Sequence, residues 1–373
     1  MSALFRMTRR RALVAAALGL SAAPAALAAV AAKPLGAPDL NIPSLGALAA
    51  RRHLAFGSAF DVEAIAIPDY GRLISYHSRI LTTDNSLKFG SVRSAGPRAD
   101  FADADRLIAF AGAARLPVRG HNLAWNEYAP DWLRAESGPR RAYWLDRHVD
   151  EICSRYAGRI QSWDVVNEPF WPDHGNPGGF RGGPWYDAMG AGYVERAFKR
   201  AAAADPNAKL ALNEAGPEWA GPRGDFYRKA VLDTVRRLHD RGARVDIVGL
   251  ECHWHAQVRF TPSVLEDYVG RLAEEGVDVY LTELDADDKR LSLNVERRDQ
   301  QVAEVYHSIV ATALRCPSVK AVITWQLADS QSWLSDTSVN TWGIWRRPRP
   351  LPFDDKFRAK AAYAALAKTF NAG

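Results

Sequence analysis

Eight short runs of strand-like residues recur along the chain, and longer stretches with helical periodicity lie between them. The runs cover residues 54–60, 79–84, 117–124, 160–168, 209–214, 246–253, 278–284 and 319–325. Apolar residues recur at helical spacing over 101–114, 139–156, 186–204, 225–241, 261–275 and 296–315, and again over 357–368. Such alternation implies parallel strands joined by helical crossovers. Eight units in about 320 residues predict an α/β fold, one (β/α)8 TIM barrel with expanded loops. A doubly wound sheet is the alternative, but no G-x-G-x-x-G follows the first run, so a dinucleotide fold lacks its fingerprint.

Barrel enzymes place their chemistry at the carboxyl ends of the strands. In chain order those ends carry Asp84-Asn85, His121-Asn122, Asn167-Glu168, Asn213-Glu214, Glu251 with His253, Glu283 with Asp285, and Trp325. A polar residue at one strand end is ordinary, and Glu168 before Pro169 would by itself be a solvated loop acid. Polar or aromatic ends on seven successive strands converge on one rim.

That rim is rich in carboxylates, amides and indoles, and carries neither a Ser or Cys nucleophile motif nor a phosphate loop. Glycosidic bond cleavage needs one carboxylic acid to protonate the leaving oxygen and one carboxylate to attack or to activate water. Sugar rings also present C–H faces to aromatic platforms. Trp125, Trp163, Trp171, Trp325 and Trp333 fall at or near the expected rim, among twelve tryptophans in all.

The stretches "FGSAF", "TTDNSLKF", "VRGHNLAW", "WDVVNEP", "IVGLECHWH", "YLTELD" and "WQLADSQSWL" resemble, in order and separation, those of glycoside hydrolase family 10, an endo-β-1,4-xylanase family with a (β/α)8 fold. The likeness runs from about residue 54 to the C-terminus. "NEP" alone is weak, being shared by several retaining glycosidase families; the seven-part set is specific. The resemblance implies that Glu168 is the general acid/base and Glu283 the nucleophile. It implies that Asn167 binds the 2-hydroxyl of the sugar at the cleaved bond, and that His253 and Asp285 form a relay that orients Glu283. Asn85, Lys88, His121 and Trp125 match sugar-binding positions on the non-reducing side, and Trp325 and Trp333 match aromatic walls of the central subsites.

This chain departs from the family at four positions. Asp84 stands where Glu is usual, Glu251 where Gln is common, Ala215 where Tyr often stands, and Tyr128 in place of Gln. These bear on sugar binding rather than on the reaction class. His253 and His255 alternate on one strand and could face one ion, but no third His-rich strand end accompanies them, so no metal and no cofactor is expected. Arg346, Arg347 and Arg349 read as a solvated basic loop. Two rival functions share parts of this pattern: another retaining β-1,4-glycanase, such as a cellulase or mannanase, and a non-catalytic carbohydrate-binding barrel. Loss of either glutamate would mark the second, and both are present.

The first 28 residues differ in kind. Arg9-Arg10-Arg11 precede an apolar run from Ala12 to Leu20, which closes on Ala26-Leu27-Ala28. That order is an export signal, of twin-arginine type, and its apolar run is too short to span a bilayer. Residues 29–50, rich in Ala, Pro and Gly, are expected to be a flexible lead-in to a catalytic barrel over 51–373. The leader holds four of the 48 basic residues and no acid, so the remainder carries 44 basic against 43 acidic residues, a balance of +1. Neither nucleic acid nor a membrane surface is therefore an expected partner. Xylan and xylo-oligosaccharides are, with the chain acting as an exported monomer, periplasmic or secreted. The odd count of three cysteines, Cys153, Cys252 and Cys316, leaves at least one without an internal partner, and all read as small buried residues.

Overall fold

A computed structural model of the chain describes residues 38–334 and 346–372. Its sheet contains β1 (Ala55–Ala59), β2 (Leu81–Thr82), β3 (Val118–Gly120), β4 (Ala124–Trp125), β5 (Ser162–Asn167), β6 (Lys209–Glu214), β7 (Ile247–Leu250), β8 (His253–His255), β9 (Asp278–Asp287) and β10 (Val319–Thr324). The order β10-β1-β2-β3-β5-β6-β7-β9, closed by pairing of β9 with β10, is a parallel eight-stranded barrel. The eight predicted runs are these eight strands. Two of them continue past a break at the rim: β4 pairs with the end of β5, and β8 with the end of β9. The predicted single runs over 117–124 and 246–253 are therefore each a barrel strand followed by an extension that builds the rim.

Inside the barrel the lower layer is apolar, with Ile80, Ala211, Ile247, Tyr280, Ala321 and Ile323 packed together. Nearer the rim, polar groups enter: Arg119 pairs with Asp164, and Asn213 projects across the space in front of Gly249. A Cβ on Gly249 would lie 2.1 Å from the Asn213 side-chain oxygen, so only glycine leaves room for that amide. The larger core lies between sheet and helices.

The helical stretches include Ala102–Ala113, Gly138–Tyr156, Gly192–Ala204, Pro222–Asp240, Pro262–Glu274 and Val295–Ala313. The predicted helix over 186–204 is split, because Gly190 takes a left-handed φ of 56° between Pro184–Met189 and Gly192–Ala204. A helix that the periodicity missed, Pro68–His77, follows β1; it opens on a proline with no side-chain cap.

The expected flexible lead-in is corrected at its C-terminal end. Ser44 caps a short helix, Leu45–Ala50, whose Leu45 and Ala49 are fully buried against the C-terminal helix Ala361–Asn371. The Asp39 carboxylate accepts from the Ala359 amide at 2.8 Å, and Tyr363 donates to the Pro43 carbonyl at 2.7 Å. Residues 38–50 thus belong to the barrel's outer layer. The leader over 1–28 lies outside the described residues. Among those described, no helix is long and apolar enough to cross a membrane. All three cysteines are free, Cys153 and Cys252 buried and Cys316 partly so.

The basic loop is also corrected. Arg346 donates to the carbonyls of Leu291 and Ser292, and Arg349 forms a two-pronged pair with Asp299, both bonds 2.7 Å. Only Arg347 is solvent-facing, beside Asp355. Arg346 and Arg349 fasten the returning chain to the loop after β9 and to the helix Val295–Ala313.

Candidate active site

Four residues at rim ends of the barrel adopt left-handed backbone conformations: Asp84, Glu168, Cys252 and Gln326, with φ of 43°, 44°, 58° and 72°. They follow β2, β5, β7 and β10, alternate strands around the barrel. Each costs about 1–3 kcal/mol of local strain, of the kind that clusters where a side chain must be aimed. Closure of the barrel holds them there.

Glu283 sits on β9, buried, between cationic and amide donors. Its Oε1 accepts from the Asn213 amide at 2.8 Å and its Oε2 faces His253 Nε2 at 3.2 Å. The other ring nitrogen of His253 meets Asp285 at 3.0 Å, and Asp285 also accepts from the Trp333 indole at 2.7 Å. Burial opposes a charge on the imidazole, but the carboxylates of Asp285 and Glu283 outweigh it and hold His253 well above its ordinary pKa. Burial likewise works against ionised Glu283. The His253 hydrogen bond and charge, with Arg119 below, overcome it and bring Glu283 down to about 2. That shift favours the carboxylate by about 3 kcal/mol.

Glu168 ends β5 under the opposite balance. Burial is the largest influence and raises its pKa; the carboxylates of Glu127 and Glu283 push the same way, and Arg181 pulls back. Arg181 Nη2 lies 2.7 Å from Glu168 Oε2. The neighbours thus pull Glu283 down and burial pushes Glu168 up, opposite directions of the kind that acid-assisted displacement requires.

Asn213 ties the two together. Its amide nitrogen lies 2.8 Å from Asn167 Oδ1, 2.8 Å from Glu283 Oε1 and 3.1 Å from Glu251 Oε1, while Thr282 donates to its oxygen at 2.7 Å. Two amide hydrogens serve three acceptors, so a proton on Glu251 eases the set. Burial first, then the charges of Glu283 and Glu168, push Glu251 well above the carboxylate range.

The remaining predicted residues line the same rim. His121 is buried, bonded to Asp164 at 2.7 Å, and meets Trp325 edge to face at 5.2 Å. Lys88 donates to Asn85 at 2.9 Å and sits 5.1 Å from the Trp125 ring, 5.7 Å from Tyr128 and 5.7 Å from Trp325. Lys88 is therefore no surface lysine: three aromatic faces cage it. Tyr128 stacks on Trp125 and so extends the aromatic wall at the position of the usual amide. The indole N–H of buried Trp125 finds no protein acceptor among the described residues. Asp84 accepts from Gln326 at 2.7 Å, and burial pushes it up to about 6 despite Lys88.

One aromatic expectation is corrected. Trp163 is fully buried in the outer core and donates to Asp205 at 3.0 Å. Successive strand residues face opposite sides, and Asp164 takes the inward position. The paired-histidine idea also changes. His255 faces Asp287 at 3.4 Å and is half exposed. The grouping close enough to share an ion is Glu251, His253 and Glu283, whose nearest donor atoms all lie within 4.8 Å of one another. Its one nitrogen donor is the imidazole whose two ring nitrogens already face Asp285 and Glu283.

Sequence reasoning placed Asn213 at the rim without giving it a role, and passed over Glu127 and Arg181. No local pattern marks an arginine thirteen residues beyond Glu168 in a Gly- and Pro-rich loop.

The chain has well-matched relatives. A β-1,4-xylanase of Dictyoglomus thermophilum is 30% identical over 341 residues, covering 89% of this chain and 92% of the relative. The crystal structure of native xylanase 10B from Thermotoga maritima superposes with a TM-score of 0.79 at 27% identity, over 88% of this chain and 98% of that one. Xylanase 10B from Thermotoga petrophila, solved with xylobiose, gives 0.79 at 26% identity, over 88% and 97%. The family model described as glycosyl hydrolase family 10 matches residues 44–369, which take in every strand of the barrel and both rim glutamates. By that match, and by the barrel that carries it, the chain belongs to glycosyl hydrolase family 10.

Proposed function

We propose that the chain is an endo-1,4-β-xylanase acting by a retaining double displacement. The observation that carries this is the contrast between two buried rim glutamates, Glu283 backed by His253 and Asp285 and drawn down by them, Glu168 held against Arg181 and pushed up by burial. In the first step Glu283 attacks the anomeric carbon as Glu168 gives its proton to the leaving oxygen, and the glycosidic bond breaks. In the second, Glu168 takes a proton from water, the hydroxyl adds to the anomeric carbon, and Glu283 leaves as carboxylate. Retention calls for carboxyl groups about 5–5.5 Å apart.

Asn167 binds the sugar 2-hydroxyl, a contact that strengthens in the transition state and so raises rate. Asn85, Lys88, His121 and Trp125 hold the non-reducing side, Trp325 and Trp333 wall the central subsites, and Asp84 and Glu251 add contacts that this chain does not share with the usual pattern. No metal or cofactor enters, because the two carboxyl groups supply acid and nucleophile. The chain acts as a monomer on xylan and xylo-oligosaccharides after export through its N-terminal leader.

The xylobiose bound to the Thermotoga petrophila relative supports xylose-based ligands here. Xylose lacks the C6 hydroxymethyl group, so hydrolysis of xylan, arabinoxylan, cellulose and mannan in parallel, with product sizing, tests the assignment. Xylan and arabinoxylan should yield short oligomers from internal cuts. Faster turnover of cellulose or mannan, or release of single sugars only, would overturn it.

A further inference from the structure

The loop after β5 is built to deliver one side chain. Phe170 and Phe180 form an antiparallel bridge, the Trp171 amide donates to the Gly179 carbonyl at 2.8 Å, and the Arg181 amide donates to the Pro169 carbonyl at 2.7 Å. Gly179 has a φ of 70°, and a Cβ there would lie 2.2 Å from the Phe226 ring, so the return needs glycine. The Phe170 amide is anchored on Glu214 at 3.0 Å. This folded-back loop places Arg181 directly beside Glu168. The arginine is almost fully buried; its Nε donates to the Glu168 carbonyl at 2.9 Å, Nη2 meets Glu168 Oε2 at 2.7 Å, and Nη1 meets Glu127. The Trp171 ring covers it, 4.7 Å from the guanidinium carbon. Glu127 comes from a different element, two residues beyond β4.

We infer that Arg181 is a positioning residue for the acid/base: it clamps Oε2 of Glu168, directs Oε1 to carry the proton, and with Glu127 sets the pH at which that proton is lost. The inference rests on the reading of Glu168 as the acid/base. The reaction makes opposite demands on this carboxyl group, protonated in the first step and ionised in the second. A cation on one oxygen aids the base form. The Glu127 anion on the far side of that cation offsets it, so the acid form survives to working pH. The other titratable groups facing the pair are Glu283 and His253 across the rim, Glu251 and Glu214 on neighbouring strand ends, and Tyr227 near Arg181. None of these changes in the variants below.

The test is kcat/KM against pH on an unactivated xylo-oligosaccharide. Removing the cation raises the pKa of Glu168, so Arg181→Gln should move the basic limb up by about one unit. Removing the anion lowers it, so Glu127→Gln should move the limb down by a similar amount. Arg181→Lys keeps the charge but loses the fork; its limb should stay near that of the parent, while its rate on the same substrate falls about tenfold. If Arg181→Gln does not fold, Glu127→Gln and Arg181→Lys decide the matter. Limbs that stay fixed, or move the same way in Arg181→Gln and Glu127→Gln, overturn the inference and leave the arginine a merely structural tie. Glu168→Ala with azide and an aryl xylobioside, run alongside, separates the two levels. Rescue by azide with unmoved limbs sinks the arginine's role alone, whereas no rescue sinks the acid/base reading and the inference together.

Discussion

β5 and β9 each present a buried glutamate to one cleft, yet the surroundings shift the two in opposite directions. Glu283 has, 3.2 Å away, an imidazole whose pKa its carboxylate neighbours raise, and an amide donor at 2.8 Å. Glu168 is dominated by burial, with further carboxylates pressing on it and a single guanidinium answering them. Both are nearly inaccessible, at 5% and 7% exposure, so solvent does not distinguish them. The lesson is that burial sets a common upward push, and the neighbours decide which acid escapes it.

The sharpest way to break the comparison is to remove the ionised member. Glu283→Gln should lower turnover of xylan about 10⁴-fold or more, since the covalent route is lost. In the parent, a 2-fluoro xylobioside should label Glu283, as read by peptide mass spectrometry. A label on Glu251 or Glu214 would assign the nucleophile to another strand.

Removing the protonated member should cost less and depend on the leaving group. Glu168→Ala should slow xylan hydrolysis about 10²- to 10⁴-fold. It should spare the first step on an aryl xylobioside, whose leaving group needs no proton, and azide should restore turnover. Equal loss on every substrate contradicts the assignment.

The relay behind Glu283 predicts a movement of the acid limb. His253→Gln takes away the cation that keeps Glu283 near 2, so its pKa rises. The acid limb of kcat/KM, which requires ionised Glu283, should therefore move up by about 1–2 units. A limb that stays in place would mean that Asn213 and Arg119 hold the charge without the histidine.

Glu251 should matter least to the pH profile. Its carboxyl group is held well above the ordinary range by burial and by Glu283 and Glu168, which favours its neutral form. Glu251→Gln replaces one neutral hydrogen-bonding group with another. The basic limb should move by less than about 0.3 unit and kcat/KM should change by less than about threefold. A limb that falls on substitution would show that Glu251 is charged and that like-charge repulsion was keeping Glu168 protonated.

Much of the frame was legible in the chain. Eight apolar runs ending in polar residues are a local signal, because a strand interior excludes what its rim accepts. Reading those ends in order found Glu168, Glu283, His253 and Asp285 without any contact being known. Trp163 was misplaced toward the rim because strand alternation gives two faces but does not say which one is inward. Asp164 takes the inner face, where Arg119 and His121 satisfy its charge. The helical start at Leu45 was hidden among Ala, Pro and Gly, and only the C-terminal helix packed on it shows that it belongs to the barrel.

By itself the sequence determined the parallel barrel, the strand that carries each rim residue, and the reaction class that two carboxylates among indoles and amides suit. Only the tertiary structure decided which neighbours press on each carboxyl group, that Asn213 spans three acceptors, and that Arg181 stands between Glu127 and Glu168. Periodicity and residue type are written along the chain within a few positions. Charge–charge and hydrogen-bond energies fall off through space over a few ångströms, and the closing of the barrel brings together atoms that the chain separates by 70 residues between Asn213 and Glu283 and by 242 between Asp84 and Gln326.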